Sequence, residues 1–319
     1  MSQANHSPSR RPFSAVDGRI TLGRAPRCDE FRLRLGVSTL KSSVPLEQLR
    51  AQVRGEPALP ALSGERYAST HTVYEAASDQ RSLLQDWLST ELPPLLAQSD
   101  PVRVVGVGVG DGSVDASLAL ALATGGRQVR YTGVEPHAPS ALDFASRLDA
   151  LRGLTPTIVI GDFANHDAGH PTDLVHFLHS LYYVVDLSAA IDHALSMLRP
   201  GGLLLAATAP LEPLCVLTEL LCPWGGQRPW FAEDVRAELD ARGLTLQVET
   251  LVGHLDVRDA VADPLGRGEA VLDFLVGART SAMRPQSRER LIDYLLDISL
   301  PGRPGVVPHP LEITIARAP

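Results

Sequence analysis

The sequence predicts an α/β fold in which a mostly parallel sheet carries helices on both faces. Three observations support that reading. Short β-branched or apolar runs alternate with amphipathic segments from residue 102 to the C-terminus. A glycine-rich turn, Gly106-Val107-Gly108-Val109-Gly110-Asp111-Gly112, joins the first run to the first of these helices. The last run, Leu311 to Arg317, comes late and alternates, as an antiparallel edge strand does.

Taken in order, residues 1–65 form an N-terminal arm rich in Arg, Pro, Ser and Gly, expected to be partly disordered or to act as a lid. A short helix fits Leu46 to Val53. Residues 66–319 form the main domain. Over 66–96, Val73, Ala77, Leu83, Leu84, Trp87 and Leu88 fall near helical spacing, and Pro93-Pro94 ends the pattern. Val102 to Val105 reads as a buried strand and Ser113 to Thr124 as a helix. Val129 to Val134 is the second strand and Ala138 to Leu151 the next helix. Pro156 to Ile160 and Leu174 to Leu178 are strands three and four. Ser188 to Leu198 is a helix ended by Arg199-Pro200-Gly201-Gly202, and Leu203 to Thr208 is strand five. An apolar insertion at about 210–230, with Trp224 and Trp230, reads as a lid. Ala232 to Arg242 is a helix, Leu244 to Val257 contains strand six, and two helical stretches lie near 267–278 and 286–297.

The glycine turn narrows the ligand. A dinucleotide site needs G-x-G-x-x-G so that a pyrophosphate can sit on the helix N-terminus. Counting from Gly106 puts Asp111 at the third glycine position, and counting from Gly108 puts Ser113 there. The register Gly108-x-Gly110-x-Gly112 suits a nucleoside without phosphate, such as S-adenosylmethionine (SAM). Glu135, at the tip of strand two, is placed to accept hydrogen bonds from a ribose. Asp162, Phe163 and Leu178, at the ends of strands three and four, join it as candidate cofactor contacts. The competing readings are an NAD-dependent oxidoreductase, which the absent third glycine opposes, and a non-catalytic SAM-binding subunit, which the intact loop and Glu135 oppose.

Composition sets further bounds. The 319 residues are 44% hydrophobic, enough for a substantial core, with net charge −8. An acidic chain lacks the footprint of a nucleic-acid binder. Arg10, Arg11, Arg19, Arg24, Arg27, Arg32 and Arg34 are read as a solvated arm. No run of 18 apolar residues exists, so no membrane span is expected. Cys28, Cys215 and Cys222 are too few for a disulfide framework and fit a reducing cytoplasm. No Cys/His/Asp group has ligand spacing, so no metal is expected. Oligomeric state is not legible.

Gly108-x-Gly110-x-Gly112, Glu135, Asp162 and Leu198-Arg199-Pro200-Gly201-Gly202 together resemble the class I SAM-dependent methyltransferases, from about residue 70 to the C-terminus. The resemblance implies a Rossmann-like, seven-stranded, mostly parallel sheet with an antiparallel last strand. It also implies SAM lying across the carboxyl ends of strands one, two and four. Val134-Glu135-Pro136, the stretch from Val175 through His179-Ser180-Leu181-Tyr182-Tyr183-Val184, Leu255-Asp256-Val257 and Leu272-Asp273-Phe274-Leu275 are similar to the histamine N-methyltransferase branch. That resemblance implies Tyr182 and Tyr183 as walls of the acceptor pocket and Glu135 as the SAM acid. Three positions depart from the branch. Gln80 stands where it has an ammonium-holding carboxylate, His179 where it has a glutamine, and His309 where it has an asparagine.

The expected reaction is methyl transfer to a small aromatic or heteroaromatic acceptor in specialised metabolism, at an indole carbon, an imidazole nitrogen or a phenolic oxygen. Such acceptors lose a proton, and histidine is the side chain with a pKa nearest neutrality. His179 is therefore the first candidate base, with Tyr183 and His309 behind it. Tyr182, Gln80, Tyr74 and Trp224 are the candidate acceptor contacts, with His71 on the same segment as Tyr74. His176, beside Phe177 inside strand four, reads as a core histidine.

Overall fold

A computed structural model describes residues 44–96, 99–223 and 228–319. The arginine-rich segment, Cys28 and Trp224 lie outside the described residues. Seven strands form one sheet: β1 (Val102–Val107), β2 (Val129–Glu135), β3 (Leu154–Ile160), β4 (Thr172–Leu178), β5 (Leu198–Thr208), β6 (Leu246–Asp256) and β7 (Val306–Arg317). Their order is β3-β2-β1-β4-β5-β7-β6. β1 pairs in parallel with both β2 and β4, whereas β7 runs antiparallel to β5 and β6. The chain reverses its direction of travel across the sheet at β1, so a crevice opens at the carboxyl ends of β1 and β4.

Ten helices of six or more residues surround the sheet among the described residues: α1 (Val44–Val53), α2 (Gly64–Ala76), α3 (Gln80–Thr90), α4 (Ser113–Leu122), α5 (Ala138–Asp149), α6 (Leu187–Met197), α7 (Val216–Leu221), α8 (Ala232–Ala241), α9 (Glu269–Val276) and α10 (Pro285–Asp297). Alternate residues of β1 enter opposite cores. Val104 packs with Trp87 and Leu88 of α3, Leu118 and Leu122 of α4, and Phe144 and Leu148 of α5. Val105 packs with Ile191 and Ala194 of α6 and with Val235 and Leu239 of α8. Burial on both sides explains why β1 is a nearly continuous apolar run.

Two expectations change. β7 is an inner strand between β5 and β6, not an edge strand. Its Leu311, Ile313 and Ile315 face one core, while Glu312 and Thr314 are buried on the other side, where Arg236 of α8 pairs with Glu312. The alternation therefore reflects two different buried faces rather than one wet face. The helical pattern over 66–96 is interrupted at residues 77–79, because that backbone bonds to β6. The amide of Asp256 donates to Ala77 O at 2.8 Å and that of Asp79 to His254 O at 3.2 Å. Leu46 and Leu49 of α1 are buried, and Glu56 accepts the Arg284 amide at the start of α10 at 2.7 Å.

Candidate functional site

A cavity of about 1680 Å³ lies at the carboxyl ends of β1, β2 and β4 and extends to α2, α9 and the 211–223 segment. A single-ligand pocket is roughly 300–1,000 Å³, so this cavity has room for a methyl donor and an acceptor together.

The turn after β1 forms one half. Gly108, Gly110 and Gly112 all have positive φ, at 66°, 54° and 72°. A Cβ on Gly108 would stand 2.5 Å from Ser180 Cβ, and one on Gly112 would stand 2.7 Å from Phe144 Cδ2. Gly110 has nothing within 4 Å and leaves its backbone open. Gly108→Ala combines a left-handed backbone with this clash and should cost about 1–2 kcal/mol. Thermal melts should show a lower Tm for the variant, and an unchanged Tm would mean that the loop relaxes freely.

Glu135 is buried at the end of β2, in the same half. Its Oε2 accepts the Gly110 amide and its Oε1 accepts the His137 amide, each at 2.9 Å. Two backbone bonds fix the carboxylate and still leave a lone pair on each oxygen for a pair of hydroxyls. Asp162 is exposed after β3, and its Oδ1 accepts the Ala164 amide at 3.0 Å. The buried Phe163 ring packs edge-on against Phe177 at 5.4 Å. Leu178 is half-buried and completes this wall. An open glycine backbone, a fixed acid and a flat apolar wall fit a nucleoside that carries no phosphate. Glu135 would hold the ribose of SAM, Asp162 and Phe163 its adenine, and the loop its methionyl part.

The other half is aromatic. His179 follows β4 with φ 55°, a strained value for a residue with a side chain, and its amide donates to Ala207 O at 3.0 Å. The imidazole stacks beside Tyr182 at 6.2 Å, with Nδ1 3.5 Å from the Tyr182 hydroxyl. Burial, aided by the charge of Arg81, lowers the His179 pKa to about 4. The Tyr182 hydroxyl accepts the Ala209 amide at 2.6 Å, and burial pushes its pKa up. Tyr183 lies at the rim, where its hydroxyl pairs with that of Tyr67.

His309, on β7, uses both ring nitrogens. Nε2 lies 3.0 Å from the Tyr74 hydroxyl and Nδ1 2.8 Å from Ser78 Oγ. Burial, followed by the nearby His179, lowers its pKa to about 3. The Gln80 amide donates to the carbonyls of His309 and Pro310 at 3.0 and 3.1 Å, so its Nε2 anchors α3 to β7. Tyr74 packs at a tilt against Phe274 of α9, with ring centroids 4.6 Å apart, and meets His309 edge-on. Thr218, Cys222 and Pro223 line the cavity from the side. Tyr294 donates to Pro213 O at 2.7 Å and Thr218 to Leu275 O at 2.8 Å.

Sequence reasoning missed Tyr67, Glu75, Arg81 and Phe274. Tyr67, His71, Tyr74 and Glu75 share one face of α2, a stripe that the i, i+4, i+7, i+8 spacing carries. Gln80 brings no carboxylate to this half, but Glu75 does. His71 Nε2 is 3.2 Å from Glu75 Oε1, and Arg81 pairs with the same oxygen. Burial alone would raise the Glu75 pKa; the His71 hydrogen bond and the Arg81 charge outweigh it and hold the carboxyl below its usual range.

His176 lies under the loop in the core, its ring 2.8 Å from where a Gly106 Cβ would stand. Its Nε2 is 2.6 Å from the Tyr131 hydroxyl, which donates to Asp115 at 2.7 Å. Burial lowers the His176 pKa to about 3 and raises that of Asp115 to about 7, against the Tyr131 hydrogen bond. These shifts set a pH dependence of stability. His176, His179 and His309 stay neutral when folded but charge in the unfolded chain below about pH 6.5, so each loses stability as pH falls. Asp115 keeps a proton when folded that the unfolded chain sheds near pH 4, which opposes the histidines. Among these four groups, three against one leave a net loss of roughly 3 kcal/mol from pH 7 to pH 5. Urea denaturation at the two pH values checks this, and equal or greater stability at pH 5 would count against neutral histidines.

Among the described residues, no helix is long and apolar enough to cross a membrane, and no three His, Cys, Asp or Glu side chains gather as metal ligands. The family model described as "Methyltransferase domain" matches residues 76–249, more than half of the chain. No functionally curated protein matches the sequence. Among solved structures, the chain is similar to the N-methyltransferase NodS of Bradyrhizobium japonicum bound to S-adenosylhomocysteine, with 16% identity over 76% of this chain and 86% of that one and a TM-score of 0.44. It is also similar to the plantazolicin methyltransferase BpumL bound to the same product, with 10% identity over 86% and 96% and a TM-score of 0.48. A third similar structure is a SAM-dependent methyltransferase of Thermotoga maritima described as a possible histamine N-methyltransferase, with 14% identity over 80% and 98% and a TM-score of 0.44. The glycine cradle, the fixed acid after β2 and the family match agree: this chain belongs to the class I SAM-dependent methyltransferases.

Proposed function

We propose that the chain transfers the methyl group of SAM to a small aromatic or heteroaromatic acceptor, with His179 as the base. The observation that carries this reading is the setting of His179. A neutral imidazole stands at the carboxyl end of β4, inside a cavity lined by Tyr67, Tyr74, Tyr182, Tyr183 and Phe274. Such rings supply flat faces and hydroxyl handles for a planar acceptor.

SAM supplies an electrophilic methyl on a sulfonium, and in-line displacement leaves S-adenosylhomocysteine. The aromatic walls hold the acceptor in line, the arrangement that converts binding into rate. His179 takes the proton that an indole, imidazole or phenol loses as its new bond to methyl forms. His309, with both ring nitrogens bonded, holds Tyr74 and the α2–α3 junction and does not compete for that proton. Tyr182 turns its ring toward His179 and spends its hydroxyl on the Ala209 amide, which makes it a wall rather than a base. Glu75 is already engaged by His71 Nε2 at 3.2 Å, which favours a neutral acceptor over a free ammonium.

An acceptor screen tests this reading. The protein is incubated with SAM and histamine, tryptophan derivatives, substituted indoles or phenols, and methylated product is read by mass spectrometry. Product from an indole, imidazole or phenol supports it. Turnover only with aliphatic amines or carboxylic acids would replace it.

A further inference from the structure

Arg81 is the only arginine or lysine among the described residues that line the cavity. It stands at the start of α3 and reaches two groups from the two halves of the site. One guanidinium nitrogen, Nη1, donates to Ser113 Oγ at 2.7 Å, and the other, Nη2, pairs with Glu75. Ser113 is the first residue of α4, directly after the glycine turn, and the positive end of that helix adds to the charge of Arg81. Its backbone is tied as well: Gln85 donates to Ser113 O at 3.0 Å. Asp111, on the same turn, already pairs with Arg147 at 2.8 Å and accepts the Ser113 amide. The donor is a nucleoside whose far end is an amino acid, so loading it brings one carboxylate to the loop side of the cavity. No other permanent cation among the described lining residues can receive it.

We propose that Arg81 binds the carboxylate of the SAM methionyl group, and that it exchanges Glu75 for that carboxylate when SAM loads. Ser113 holds Nη1 in place through the exchange, so the fork of the guanidinium stays aimed at the loop. Glu75 keeps His71, whose Nε2 is 3.2 Å away, and is not left unpartnered. The exchange swaps one carboxylate for another on the same cation. It rests on SAM as the donor and not on the identity of the acceptor or on His179.

Calorimetry with a ligand series tests both parts. The ligands are SAM, S-adenosylhomocysteine, decarboxylated SAM and 5′-methylthioadenosine, which lacks the amino acid altogether. The wild-type protein should bind SAM about 10- to 100-fold more tightly than decarboxylated SAM, the scale of a charge-assisted hydrogen bond to a carboxylate. Arg81→Gln should erase that preference and leave 5′-methylthioadenosine affinity within about twofold, and Arg81→Lys should restore part of it. Glu75→Gln should tighten SAM several-fold, because nothing then competes for Arg81, with 5′-methylthioadenosine again unchanged. If Arg81→Gln does not fold, the wild-type ligand series and Glu75→Gln still decide. A wild-type protein that binds SAM and decarboxylated SAM equally, or an Arg81→Gln protein that keeps the preference, overturns the carboxylate assignment. Unchanged or weaker SAM binding in Glu75→Gln overturns the exchange. A failed acceptor screen would touch none of these readouts.

Discussion

His179→Ala should lower kcat by about 10²–10⁴-fold, the usual contribution of a positioned general base, and leave SAM affinity nearly intact. The imidazole has a specific place to act from. It follows β4 in a left-handed backbone conformation, its amide is fixed by Ala207, and its ring lies against Tyr182 in the aromatic half of the cavity. The sign of the pH dependence follows from its lowered pKa of about 4. A base works unprotonated, so kcat/KM rises as pH climbs through the pKa of the unloaded protein and is flat above it. The ascending limb of kcat/KM therefore belongs near pH 4 and not near the ordinary histidine value of 6.5, and kcat/KM should be level from about pH 5.5 to 8. His179→Gln keeps the shape and a hydrogen-bonding amide but cannot take the proton, so it should be nearly as slow as His179→Ala. Near-normal turnover of the glutamine variant across pH would reduce His179 to a shape residue and leave the proton to water or Tyr183. Stopped-flow turnover with an acceptor from the screen, followed over pH, separates these outcomes.

The donor half was legible in the sequence because its signals are local. The glycines, the strand before them and the acid after β2 lie within one βαβ unit, and the structure brings them together as their spacing implies. The cradle needs positive φ at Gly108, Gly110 and Gly112, and it has it at all three. The aromatic half was only partly legible, because it is assembled from distant segments. Phe274 reaches Tyr74 from α9, and His309 reaches it from β7. The break at residues 77–79 matters most. Read without a gap, the helical pattern over 66–96 puts Gln80 on the acceptor face. The β6 contacts at Ala77 and Asp79 end that helix and start a new one, which directs Gln80 to the β7 backbone and leaves Glu75 facing the cavity. The position of β7 was misread for a related reason. Alternation distinguishes two faces of a strand but not a wet face from a buried polar one, and Glu312 and Thr314 are buried polar residues.

Glu135→Ala should weaken SAM by about 1.5–3 kcal/mol, or roughly 10- to 100-fold, as expected for losing a charged acceptor of hydrogen bonds. The loss has two sources. Removing the carboxylate takes away the partner of the ribose hydroxyls. It also strands the Gly110 and His137 amides, which Glu135 holds at 2.9 Å, so the cradle itself loosens. Two further variants separate the sources. Glu135→Gln can still accept one amide bond and present one polar atom to the ribose, so it should retain much of the loop order but lose the charge. Its affinity should fall between wild type and Glu135→Ala. A 2′-deoxy analogue of S-adenosylhomocysteine should bind the wild-type protein more weakly than the parent, yet bind Glu135→Ala about as well as the parent does, because the acid that reads the hydroxyl is gone. Calorimetry on the folded variants measures all of this. If the wild type did not distinguish the deoxy analogue, Glu135 would be a brace for the glycine turn rather than the ribose acid. Its two backbone bonds would then account for its place at the end of β2 on their own.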